Sequence, residues 1–207
     1  MREISDEFIK VLLLTIGLAF LMVSLVGLSV VFLGIYDKIN DIRSKKIKKN
    51  IVKSLQYFCD QMNIPVSTSG EYSRPNGNDA IGYINYLSDQ DTGKIAGAAI
   101  FLRDDIDLAK ECMWCTFAHE VGHYISQDVY NDKSESGADM EGYRFINYIL
   151  STKEKLIMKS CMDIYFRGKE DHPKRNISYP THIKEKAFIE QMMKEVKEYY
   201  EGIRSSN

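Results

Sequence analysis

Residues 115–124, Cys115-Thr116-Phe117-Ala118-His119-Glu120-Val121-Gly122-His123-Tyr124, carry an H-E-x-x-H pattern among uncharged neighbours. Residues four apart project from one face of a helix, so His119 and His123 can grip a single metal ion. Glu120 is offset by one position, close enough to hold a water on that metal without ligating it. This arrangement makes a hydroxide-like nucleophile near neutral pH. The plainer alternative is a buried helix that happens to carry two histidines. The lack of charge at Phe117, Ala118, Val121, Gly122 and Tyr124 favours the metal, because an active-site helix must exclude water.

Two histidines leave a catalytic zinc one protein ligand short, and a carboxylate usually completes the set. An acidic cluster follows at Glu135-Ser136-Gly137-Ala138-Asp139-Met140-Glu141-Gly142. On a helix, Glu135 and Asp139 share a face one turn apart. Glu135 then reaches the metal, and Asp139 accepts the free ring N–H of a ligand histidine, fixing its tautomer. Glu141 points elsewhere and is expected to be solvated. The competing reading is an ordinary acidic helix start that matches the helix dipole.

H-E-x-G-H followed by E-x-x-A-D-x-x-G resembles the gluzincin class of zinc metallopeptidases, over roughly residues 95–150. Two groups within the class share features with this chain. HtpX-type membrane peptidases have the E-x-x-A-D block and an N-terminal membrane anchor before a cytoplasmic catalytic domain. ImmA/IrrE-type peptidases have a strand-rich lead-in and a phrase like Phe117-Ala118-His119-Glu120-Val121-Gly122-His123-Tyr124. Only 11 residues separate His123 from Glu135, a shorter gap than the HtpX type implies. The resemblance implies a zincin-like α+β domain, Zn2+ as cofactor, and a protein or peptide substrate.

The 207 residues hold 27 Lys+Arg against 29 Asp+Glu, and this near-neutral balance argues against nucleic acid as a main partner. The charge is unevenly placed. Val11 to Tyr36 runs without a charged side chain, longer than the ~30 Å core of a bilayer requires of a helix. A domain of this size has no core able to hide such a helix on all faces. The preceding residues (Arg2, Glu3, Asp6, Glu7, Lys10) are net negative and the apolar run is long, both unlike a cleaved signal peptide. Lys38, Arg43, Lys45, Lys46, Lys48, Lys49 and Lys53 follow it, against Asp37 and Asp41. The positive-inside rule then places the C-terminal domain in the cytoplasm, with these lysines beside anionic lipid headgroups. The expected organisation is a short extracytoplasmic N-terminus (1–10), one transmembrane helix (11–36), a basic juxtamembrane helix (37–62) and the catalytic domain (63–207).

Ile39, Ile42, Ile47, Ile51, Leu55, Phe58 and Met62 recur at three- to five-residue steps, which predicts an amphipathic continuation docked on that domain. Asn63-Ile64-Pro65 ends it, and residues 67–79 read as a polar Gly/Pro-containing loop. Ala80–Leu87 and Ile95–Leu102 read as a strand pair. The second is the expected sheet edge above the cleft, where an extended peptide can pair. Asp104 or Asp105 is expected to cap a metal-bearing helix running to about Ser126. Further helices are expected over 135–151, 153–166 and 182–203.

Cys112-x-x-Cys115 precedes His119 on the same helix as a thiolate or redox pair, or as small packing residues. In the cytoplasm Cys59, Cys112, Cys115 and Cys161 should all stay reduced. A peptidase also needs a donor for the oxyanion of its tetrahedral intermediate. His182, Tyr179 and Arg175 have the chemistry, in a segment that also holds His172. Thr181-His182 resembles a short stretch near the end of HtpX-type domains, although Ile183 and Phe188 replace the Pro and Arg of that pattern. The other reading of the whole chain is a regulatory or interaction protein on a peptidase scaffold, for which Glu120 has no use. Oligomeric state is not legible.

Overall fold

A computed structural model describes residues 6–68, 81–88, 95–103, 107–110, 112–166 and 183–206. Its elements, in chain order, are α1 (Asp6–Gln61), β1 (Val66–Ser67), β2 (Gly82–Ser88), β3 (Ile95–Leu102), α2 (Trp114–Tyr130), α3 (Glu135–Ile149), α4 (Thr152–Tyr165) and α5 (Ile183–Ser205). The fold is mixed α+β, with a small three-stranded sheet and one long apolar N-terminal helix. Two compact units divide at Arg43/Ser44, and α1 contributes to both.

In the first unit the large apolar side chains from Leu13 to Tyr36 are exposed, Phe20 at 76%. Thr15, Ser24 and Ser29 each donate their hydroxyl to the carbonyl four residues back, at 2.8 Å. A helix that satisfies its own polar groups while presenting hydrocarbon outward meets the condition for lying in lipid. By length and composition α1 is able to cross a membrane.

In the second unit the last turns of α1 are core. Ile47, Ile51, Leu55 and Phe58 are buried at helical spacing, each large side chain contributing about 1.5–3 kcal/mol by leaving water. Phe58 packs edge-on against Phe145 of α3 (5.3 Å between ring centres), and Tyr57 stacks on Tyr199 of α5 at 4.3 Å. The amphipathic face begins later than its periodicity suggests, since Ile39 and Ile42 are exposed. The helix closes at Asn63, whose φ of 54° is left-handed. Ile64 N–H bonds Cys59 O at 2.8 Å and Asn63 N–H bonds Asp60 O at 3.2 Å, the paired closing bonds of a Schellman turn.

The sheet order is β1-β3-β2, which corrects the expected edge. β3 is central, and among the described residues β2, which packs against α2, is paired on one side only. The reason is β1: Val66 and Ser67, directly after Pro65, pair in parallel with Ile100 and Phe101, and Ser67 is the first residue of the stretch read as loop. Two residues show no alternation, so the strand left no signal. Residues 69–79 of that loop lie outside the described residues.

The helix that carries His119 and His123 also starts later than expected, at Trp114, and runs on to Tyr130. Ahead of it Asp107 accepts from Ala109 N–H at 3.0 Å, a local turn that competes with helix. Asp104 and Asp105 lie outside the described residues, and the position before α2, Met113, makes no side-chain cap. By contrast α3 is capped by Ser134, which accepts from Gly137 N–H at 3.0 Å. A Ser151/Glu154 capping box opens α4. The same Glu154 accepts from Tyr200 on α5 at 3.0 Å, joining the two helices.

The cysteines depart from the expectation of four free thiols. Cys112 is disulfide-bonded to Cys161 of α4, while Cys59 and Cys115 are free and buried. Cys112-x-x-Cys115 is thus not a redox pair. Burial pushes both free thiols well above the ordinary thiol range, which suits small packing residues.

Candidate metal centre

His119 and His123 stand one turn apart on α2, ring centres 4.6 Å apart and nearly perpendicular, each side chain 12% exposed. Both turn Nε2 toward one carboxylate oxygen of Glu135, at 3.1 Å from His119 and 3.4 Å from His123. Ligand atoms of all three lie within 4.8 Å of one another. Zinc bonds of 2.0–2.1 Å in a tetrahedron imply ligand–ligand edges of about 3.3 Å, so two of the three edges already have the right length. The donor set, two imidazoles and a carboxylate, is likewise what zinc takes.

The tautomer is set from behind. His119 Nδ1 lies 2.8 Å from Asp139 Oδ1, and an ionised carboxylate only accepts, so the ring proton sits on Nδ1. Nε2, which faces Glu135, is the nitrogen left to bind a metal once its own proton is lost. Burial raises the Glu135 carboxyl's pKa, but the charges of His123 and His119, with their hydrogen bonds, outweigh it and hold the group below its ordinary value. Glu135 is 76% exposed, so the group opens to solvent on the α3 side.

The close approach of α2 and α3 brings these residues together, and two glycines permit it. A Cβ built on Gly122 would overlap the carbonyl oxygen of Ala138 and come within 2.6 Å of Gly142 N. One built on Gly142 would lie 2.5 Å from the carbonyl oxygen of Ala118. The helix backbones touch at the level of the ligands. That role was not read from the sequence, although Gly142 follows Glu135 by seven residues and therefore shares its face.

Glu120 is buried at 4% exposure on the β2 side of α2. Its neighbour there is Gly82, whose Cβ would sit 3.4 Å from Glu120 Cγ. Tyr165 of α4 packs edge-on to the His119 ring (6.3 Å between centres) and donates its hydroxyl to Thr116 Oγ1 at 3.3 Å. Tyr165 borders the group and was not anticipated. Glu141 is corrected: it is buried and pairs with Arg144 at 3.1 Å, not solvated. It also lines a cavity of about 750 Å³ with Phe145 of α3, Ile125 of α2 and Lys186 of α5, away from the histidines. His182, Tyr179, Arg175 and His172 lie outside the described residues.

No family model, curated protein or solved structure matches this chain. The functional reading therefore rests on the geometry above.

Proposed function

We propose that the chain is a membrane-anchored zinc metallopeptidase with a zincin-like domain, hydrolysing peptide bonds in a protein or peptide substrate. The observation that carries this reading is a buried Glu120 next in sequence to His119, on the helix whose two histidines meet Glu135. When bound, zinc supplies the Lewis acidity that makes water a nucleophile near neutral pH. His119, His123 and Glu135 would hold it, and Asp139 keeps His119 in the ligating tautomer. Glu120 takes a proton from the attacking water and returns it to the amine nitrogen as the C–N bond breaks. Burial of Phe117, Ala118 and Val121 behind the histidines excludes water from that side.

The anchor is the apolar stretch of α1, with the lysines after it on anionic headgroups. Their positive charge favours a cytoplasmic domain. The Cys112–Cys161 disulfide favours the opposite side, because such bonds persist in oxidising compartments. Labelling of a cysteine placed at exposed Leu156, in intact against opened cells, separates the two.

The function is tested with the full chain in detergent, loaded with zinc and given fluorescently labelled casein. Glu120→Gln should keep about one zinc per chain and lower turnover about 100-fold or more, because it removes a base while preserving shape. Equal turnover in the variant would refute the mechanism. Zinc binding without cleavage by either protein would favour a regulatory role on a peptidase scaffold.

A further inference from the structure

On β2, Gly82, Ile84 and Tyr86 alternate onto one face, opposite Leu102, Ile100 and Ala98 of β3. This face looks at α2, since a Cβ on Gly82 would meet Thr116 Cγ2 at 3.1 Å as well as Glu120. Tyr86 is therefore on the same side of the sheet as the metal-bearing helix. Its hydroxyl oxygen is buried and has no hydrogen-bond partner among the described residues. Burial, then the charges of Glu120 and Glu135, raise the phenol above its ordinary range. A buried hydroxyl with no bond is destabilising, and native structures rarely keep one without a use. Tyr165, edge-on to the His119 ring, already spends its hydroxyl on Thr116.

We propose that Tyr86 is the oxyanion donor of this site, its hydroxyl bonding the scissile carbonyl oxygen as charge gathers there. The inference rests on the peptidase reading. As the water oxygen bonds to the carbonyl carbon, its proton passes to Glu120 and the carbonyl π pair moves onto oxygen, which accepts from Tyr86. Collapse re-forms the carbonyl, breaks the C–N bond, and delivers the proton from Glu120 to the amine. Tyr86 keeps its own proton throughout, as a phenol with suppressed ionisation should. Its place on the strand that edges the sheet beside α2 puts the donor where an extended peptide would align.

Tyr86→Phe in the full zinc-loaded chain is the test, with casein turnover, inhibitor affinity and thermal stability as readouts. Turnover should fall about 100-fold with KM changed by no more than about twofold, the pattern of a group used only in the transition state. An N-phosphoryl-leucyl dipeptide, whose tetrahedral phosphoryl oxygens imitate the oxyanion, should bind about 100-fold more weakly. Acetohydroxamic acid, which grips metal without a tetrahedral centre, should bind as before. The metal-free variant should melt at or above the temperature of the parent, because phenylalanine removes an unbonded hydroxyl. Unchanged turnover and phosphoryl-dipeptide affinity would overturn the proposal, and so would a lowered melting temperature, which would mark a structural hydrogen bond. If the parent chain neither cleaves casein nor binds either inhibitor, the peptidase reading itself fails and takes this inference with it.

Discussion

Gly122→Ala is expected to destabilise the domain by more than about 4 kcal/mol and to abolish metal binding, an exceptional cost for one methyl group. The new Cβ would fall on the carbonyl oxygen of Ala138 and within 2.6 Å of Gly142 N. Those are backbone atoms of α3, not the tip of a side chain that can rotate away. Relief requires α3 to move off α2 as a unit, and close-packed interiors resist that. Because Glu135 and Asp139 ride on α3, the same displacement pulls the third ligand and the histidine's partner from the site. The sign is informative, since alanine in a helix interior ordinarily stabilises by roughly 0.5–1 kcal/mol over glycine. Gly202 of α5, with nothing within 4 Å of its Cβ position, is the control, and alanine there should be neutral or stabilising. Urea denaturation with zinc content measured alongside would decide it; a Gly122→Ala chain as stable as the parent would mean the helices cross elsewhere.

The meeting of His119, His123 and Glu135 was legible because it rests on helical spacing. Positions 119 and 123 share a face, as do 135 and 139, and the structure turns those faces toward each other. The helices expected over 135–151, 153–166 and 182–203 are present as Glu135–Ile149, Thr152–Tyr165 and Ile183–Ser205. What was hidden depends on a partner distant in the chain. β1 is two residues long and becomes a strand only by meeting Ile100 and Phe101, and that meeting moves β3 to the centre of the sheet. Cys112 and Cys161 are 49 residues apart, a pairing no local pattern reveals. Glu141 was rightly placed off the ligand face, but α3 also packs on α5, so the far face is covered rather than wet. Tyr86 needed the register with β3, which fixes the side of the sheet it occupies.

Glu135→Ala is expected to lower zinc affinity on the order of 10²–10³-fold. Structural zinc sites bind with roughly 10–16 kcal/mol, so one bond of four is worth about 2.5–4 kcal/mol. The other α3 carboxylates are engaged elsewhere: Asp139 at His119 Nδ1, 2.8 Å away, and Glu141 at Arg144. Asp139→Ala leaves all three ligands and frees only the outer nitrogen of His119, so the loss should be about 10–100-fold. The burial of Glu141 separates its effect from both. Glu141→Ala should leave zinc affinity nearly unchanged, yet cost about 1–3 kcal/mol of stability by breaking a buried charged hydrogen bond. Zinc titration and urea denaturation of the three alanine variants therefore give two different orders. Affinity should rank Glu135 before Asp139 before Glu141 in damage, with Glu141 alone weak in stability but normal in zinc. If Glu141→Ala loses more zinc affinity than Glu135→Ala, the register of α3 against α2 is wrong and the third ligand has been misassigned.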